Sequence, residues 1–194
     1  MMKFSWIPVA LLAAASVAAA DIALPAPETS GGMPLMEALA KRRSERAISN
    51  APLSPAEISN LLWAANGITR KDGRRTAPTA MNRQELSLYV VMPNGAYLHD
   101  AKKNVLKEIY SGRCEVANNA PLMIVIVADL GRQKRELAAG DSGFIGQNIY
   151  LYCAANNLAT VFKASFNASV LKSLLKLEKT QLPMYVQPVG RPAR

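Results

Sequence analysis

Four basic side chains, Lys41, Arg42, Arg43 and Arg46, fall within six consecutive positions, separated only by Ser44 and Glu45. Guanidinium groups at that density suit an anion of phosphate type, because each planar fork can make two parallel bonds to its oxygens. Ser44 adds a hydroxyl donor between them. A solvated charge run or an arm for polyanions has the same composition. Polyanion surfaces, however, normally repeat their charges and interleave aromatics that stack on bases. Only 6% of this chain is aromatic, so no nucleic-acid partner is expected. The net charge of +9 favours anionic partners without specifying one.

Other reactive groups are scarce. His99 is the only histidine and reads as a turn residue beside Asp100, which leaves a Ser-His-Asp triad or a histidine-metal site with little to be built from. Cys114 and Cys153 have neither zinc-site nor C-x-x-C spacing. They are open to pairing in an oxidising compartment or to persisting as thiols, Cys153 lying in an apolar stretch. Nucleophile-elbow, G-x-G-x-x-G and P-loop patterns are missing, and no metal site is expected. An enzyme built from this chain would therefore carry its reaction on a bound cofactor, with the protein supplying position and electrostatics.

The elements that must position these groups begin after a segment of a different kind. "MMKFSWIPVALLAAASVAAA" (1–20) has a positive start, an apolar run and an A-x-A end, which predicts a cleaved secretion signal. The protein is then expected to work outside the cytoplasm, periplasmic or secreted, with no membrane anchor left after cleavage. Residues 21–33 read as an extended arm rich in Pro and Gly, and 34–194 as one domain.

Within that domain a short helix with Leu35, Met36 and Leu39 facing inward should end at the basic cluster. Ser54, Pro55 and Glu57 form a capping box that starts a helix with the stripe Ile58, Leu61, Leu62 and Ala65. Strands are predicted over 85–91 and 95–99, joined by "MPNG", then a helix from about Ala101 to Tyr110. The unbroken run "PLMIVIVAD" (121–129) predicts a central strand buried on both faces. "DSGFIGQNIYLYCAANN" (141–157) predicts a helix apolar almost all round, which a partner would enclose; Ile149 marks that expected interface. Asn167 caps a further helix, and 184–190 form a last strand. The fold class is α+β, a mostly antiparallel sheet flanked by helices.

The same stretches, in order, resemble a known family. "KRRSERAIS" is similar to the R-R-S-x-R signature of the nitroreductase-like FMN-dependent oxidoreductases. "APTAMNRQELSLYVV", "DSGFIGQNIYLYCAANNLATVF" and "PVGRP" resemble the segments that follow it. The short form is similar to the subgroup that includes azoline-oxidising peptide dehydrogenases. The resemblance implies an intertwined homodimer with FMN shared between chains. It implies that Arg42, Arg43, Ser44 and Arg46 hold the phosphate and ribityl end. Thr79, Asn82 and Gln84 would lie beside the ring and ribityl chain, Ala164 and Ser165 would face the flavin through their backbone, and Arg191 would be a second phosphate ligand. Many members carry Glu-Gly where this chain has Ala164-Ser165, which removes a side-chain contact there. Electrons would pass from a reduced donor such as NAD(P)H to a small planar acceptor such as a nitroaromatic or quinone. The alternative is an exported flavin-binding protein without turnover.

Overall fold

The strand Leu122–Asp129 (β5) decides the architecture. Its side chains are buried from Leu122 to Ala128, and because successive residues point to opposite faces, both faces need cover. The computed structural model, which describes residues 20–193, supplies it on each side. Leu122, Ile124, Ile126 and Ala128 join one core cluster, while Met123, Val125 and Val127 join another. Fully burying each such Leu, Ile or Val is worth about 1.5–3 kcal/mol. The predicted secretion signal falls almost entirely on residues outside the described ones.

β5 lies within a seven-stranded sheet, antiparallel at every pairing. In chain order the strands are β1 (Ile22–Ala23), β2 (Leu86–Met92), β3 (Gly95–Asp100), β4 (Val105–Ser111), β5, β6 (Ala159–Thr160) and β7 (Gln181–Gly190). In space the order is β1-β4-β3-β2-β5-β7-β6. The α+β expectation holds. Among the described residues four helices flank the sheet: α1 (Leu35–Lys41), α2 (Pro55–Asn66), α3 (Arg135–Ala155) and α4 (Ala168–Leu174). α2 and α3 cover one face through Leu61, Leu62, Ile145 and Ile149. α4 covers the other through Leu171, with Leu175 just beyond its end. None of the helices among the described residues is long and apolar enough to cross a membrane.

Local signals explain most boundaries. Ser54 Oγ accepts from the Glu57 backbone N–H at 3.2 Å, and the Glu57 carboxylate accepts from the Ser54 N–H at 2.8 Å, closing the expected box at the start of α2. Pro183, which cannot donate to a ladder, sits where the β5–β7 register shifts. The arm ahead of α1 is tied down across α2: Ser59 Oγ and Asn104 Nδ2 both donate to the Pro25 carbonyl, at 2.6 and 2.7 Å.

Several expectations are corrected. Residues 101–110 are not a helix but a turn followed by β4. Asp100 Oδ1 accepts from the N–H groups of Lys102 and Lys103, Asn104 takes a left-handed φ of 52°, and β4 then pairs with β3. That pairing overrides the helix-like spacing of Val105, Leu106 and Ile109. His99 belongs to β3 rather than a turn; burial holds its imidazole down at about 4, so it is neutral near pH 7. Leu35, Met36 and Leu39 point outward in the single chain, and small Ala38 is the residue of α1 that is buried. Ile149 is fully enclosed inside its own subunit, whereas Phe144 of the same helix is 49% exposed. Cys114 and Cys153 are free thiols. They pack into clusters on opposite faces of the sheet, which keeps them apart.

Candidate functional site

α1 ends at the basic cluster, with Arg42 as its C-cap donating its N–H to Ala38. The helix dipole there repels anions, so any anion held at this point must be held by the side chains. Lys41 is engaged with Glu37 at 2.7 Å, and Arg43 lies 3.4 Å from Glu45. Among the described residues no ion pair engages Arg42 or Arg46. The Arg42 guanidinium carbon lies 5.1 Å from the ring centroid of Tyr150 on α3. Arg42, Arg43, Tyr150 and Asn157 help line a cavity of about 410 Å³.

Tyr150 organises this end of the site. Its hydroxyl meets Ser44 Oγ at 2.7 Å and accepts from the Phe162 backbone N–H at 2.9 Å. A Cβ on Gly146 would come within 2.5 Å of the Phe162 ring, so only glycine lets α3 approach this segment. Asn118 adds a second tie, donating to the Arg46 carbonyl while Lys163 Nζ donates to its side-chain oxygen, both at 3.1 Å. The exposed Ala164 and Ser165 follow directly. The structure thus joins Arg42, Ser44 and Arg46 to the segment carrying Ala164 and Ser165.

Thr79, Asn82 and Gln84 form a separate group. Thr79 Oγ1 accepts from the Gln84 N–H at 3.0 Å, and Gln84 Nε2 donates to Asn82 Oδ1 at 3.1 Å. Met81, Asn82 and Gln84 all adopt left-handed φ, between 47° and 55°, which side-chain-bearing residues hold only when their surroundings enforce it. Asp141, near the start of α3, does so by accepting from the Ala80 N–H at 2.9 Å, while Gln133 donates to the Ala80 carbonyl and Arg132 to that of Arg83. Asp141 and Tyr150 are nine residues apart on α3, about 14 Å along its axis at 1.5 Å per residue. One chain therefore carries two half-sites at different levels of one helix.

Arg191 is not aimed at the basic cluster. Its side chain pairs with Glu57 at 2.7 Å, although its backbone carbonyl accepts from the Ser49 N–H and Pro192 bridges Ile48. Among the described residues no group of three His, Cys, Asp or Glu could hold a metal ion.

The nitroreductase family model matches residues 39–191, spanning both half-sites. The chain belongs to the nitroreductase family. Membership makes it a flavin-dependent oxidoreductase in general terms. A candidate nitroreductase of Methanocaldococcus jannaschii is 29% identical over 185 residues, covering 81% of this chain and 90% of the relative. The crystal structure of a candidate nitroreductase from Ralstonia eutropha has a TM-score of 0.84 at 31% identity, over 98% of this chain and all of the other. The E. coli microcin synthetase complex with truncated pro-MccB17 bound includes a chain of like fold, with a TM-score of 0.64 at 16% identity over 86% and 76% of the two chains.

Three residues of this nitroreductase-family site escape sequence reasoning: Tyr150, Lys163 and Glu85. Tyr150 was detectable as a polar atom within an otherwise apolar helix. Glu85 is 2% exposed, no donor reaches either carboxylate oxygen, and it lies against Asp141. Burial, followed by that neighbouring carboxyl, raises its pKa above the ordinary 4.5, partly offset by Arg132. Glu85 thus lies beneath the loop that Asp141 holds, where burial and the neighbouring carboxyl favour its protonated form.

Two measurements check these assignments. Tyr150→Phe removes the hydroxyl that serves Ser44 and the Phe162 N–H, and should lower stability by about 1–2 kcal/mol in a denaturant titration. An unchanged midpoint would show that the hydroxyl is idle. A carboxyl with a raised folded pKa stabilises fully below its unfolded pKa and loses that contribution as pH rises through the folded value. Glu85→Gln should therefore gain stability relative to the parent as pH rises above the ordinary carboxyl range and through the raised folded pKa of Glu85. A difference independent of pH would mean that folding leaves the Glu85 pKa unchanged.

Proposed function

We propose that the protein is an exported, homodimeric FMN oxidoreductase. It would pass electrons from a reduced donor such as NAD(P)H to a small planar acceptor such as a nitroaromatic or quinone. The observation that carries this reading is the pair of guanidinium groups, Arg42 and Arg46, left without carboxylate partners beside Ser44. That donor set fits a dianionic phosphate, which distinguishes FMN from riboflavin.

Arg42, Arg43, Ser44 and Arg46 would hold the phosphate and ribityl end, with Lys163 adding a cation near them. Ala164 and Ser165 would face the flavin through backbone groups. The preset loop of Thr79, Asn82 and Gln84 would border the ring from another chain, because one α3 separates the two half-sites within a subunit. Arg191 is left out of the phosphate shell while Glu57 engages it. Bound FMN would supply two-electron exchange between donor and acceptor; the chain binds it, orients the substrates and excludes water, with no side chain required as acid or base.

The dimer is supported by apolar surface that a lone subunit leaves in water. Met36 is 76% exposed, and Leu35, Leu39, Leu137 and Phe144 are also exposed on α1 and α3, two helices packed against each other. Such surface favours a partner. Export rests on the character of residues 1–20.

Arg42→Ala and Arg46→Ala should each weaken FMN binding by about ten- to a hundred-fold while sparing riboflavin. Parental FMN affinity in both variants would remove the phosphate assignment. Phe144→Asp places a charge on the exposed stripe without touching the core. It should yield a folded monomer that has lost flavin; a dimer that keeps its flavin would exclude this face as the interface. In the parent, dithionite should bleach the flavin and a quinone or nitroaromatic restore it. Failure of every acceptor, oxygen included, would favour a flavin carrier.

A further inference from the structure

The segment Ile68–Arg75 is a small hairpin. Ile68 and Arg75 bridge, the Thr69 N–H donates to the Arg74 carbonyl at 2.8 Å, and Gly73 takes a φ of 82° at its turn. It carries Arg70, Lys71, Arg74 and Arg75 against one acid, Asp72. Asp72 is spent on Arg74 at 2.8 Å. Among the described residues no ion pair engages Arg70 or Arg75.

Arg75 is the anomaly. It is partly buried, and burial pushes its guanidinium pKa down. Its Nε donates to Gln84 at 3.2 Å and its Nη1 to the Asn66 carbonyl at 2.8 Å, both neutral oxygens. Asp100 acts on it only at a distance and is itself bonded to Lys107 at 2.8 Å; a partly desolvated cation with no carboxylate bonded to it is costly, yet this one is fixed against the left-handed loop. Arg70, Arg74 and Arg75 line a cavity of about 340 Å³ together with Thr79 and Asn82, and no acid is among its walls. An arrangement of three guanidinium groups, hydroxyls and an amide, open on one side, is chemistry for an anion.

We propose that this hairpin is an anion-recognition site that selects redox substrates carrying a carboxylate or phosphate and directs their planar part to the loop at Thr79 and Asn82. The assignment rests on the reading of that loop as a wall of the flavin cleft. The basic cluster at Arg42 would serve the cofactor's phosphate, and the hairpin would serve the substrate's anionic group. A donor bearing phosphates and an acceptor bearing a carboxylate share that chemistry.

Calorimetric titration of the purified protein with 4-nitrobenzoate and with neutral 4-nitrobenzamide tests this without relying on turnover. The parent should bind the anion about ten-fold or more tightly than the amide, with a preference that shrinks as salt is raised. Arg70→Gln and Arg75→Gln should each bring the ratio down towards one, Arg75→Lys should keep most of it, and amide affinity should hold in Arg70→Gln. Because Arg75 also braces Gln84, the exposed Arg70→Gln provides a test that does not disturb the loop. Equal affinities in the parent, or a preference that survives in both Gln variants, would overturn the proposal. So would a variant whose FMN affinity falls while riboflavin affinity and the nitrobenzoate preference stay constant, since that assigns the hairpin to the cofactor. An arginine-dependent preference in protein that binds no flavin would support the anion site and sink the oxidoreductase reading instead.

Discussion

A strand with no polar side chain before its last residue must be covered on both faces, and β5 imposes that demand on the whole subunit. Two helices answer it on one face and one on the other. Of these, α3 is long enough, at 21 residues, to reach beyond the core at both ends, about 30 Å in all. Its buried stripe of Ala138, Ile145, Ile149 and Cys153 fixes its rotation over the sheet. Once that rotation is fixed, Asp141 must point at the loop before β2 and Tyr150 at the segment after α1. Packing thus places the two polar anchors, and the anchors tie the segment after α1 and the loop before β2 to α3.

The charge distribution follows a second rule. The acids near the arginine-rich segments are few, and several are already committed: Glu37 to Lys41, Asp72 to Arg74, Glu57 to Arg191 and Asp100 to Lys107. Asp100 is held down at about 2, chiefly by its bond from Lys107, so it stays ionised across any working pH. Exposed pairs of this kind contribute little stability, but they occupy carboxylates that would otherwise neutralise the free guanidinium groups. Among the cations left without an ion pair are Arg42 and Arg46 at one level of α3, and Arg70 and Arg75 beside the other half-site. The buried Glu85 fits the same pattern, since its raised pKa disfavours a negative charge beside the loop.

The sequence disclosed what local chemistry decides. The capping box of α2, the doubly buried β5, the Asn167 cap of α4, whose side chain accepts from the Val170 N–H, and the turn between β2 and β3 each depend on residues close together in the chain. Residues 101–110 misled because their spacing suits a helix, whereas a strand there is fixed by β3 and β1, the latter more than 80 positions away. The outward face of α1 misled for a related reason: hydrophobicity shows that Leu35, Met36 and Leu39 avoid water, not which molecule covers them. Arginine positions were legible as residue types in a motif. Their freedom from carboxylates was not, because it depends on where Glu57 and Asp72 spend theirs. Tyr150 and Glu85 act through contacts 106 and 56 positions away in sequence, with Ser44 and Asp141, and no periodicity reports such pairs.

The position of β7 affects the order in which the molecule can be made. Among the described residues this strand comes last in sequence, yet in space it lies between β5 and β6 and completes the ladder along one edge of β5. Until residues 181–190 have left the ribosome, β5 has its β2 neighbour but an open second edge, and β6 has no strand to pair with. An apolar strand with an unpaired edge is a template for wrong association, and pairings this distant in sequence form slowly. The subunit therefore cannot close vectorially behind its own synthesis. It must be kept from aggregating until residues 181–190 are available to pair, and the sheet is then completed in one late step.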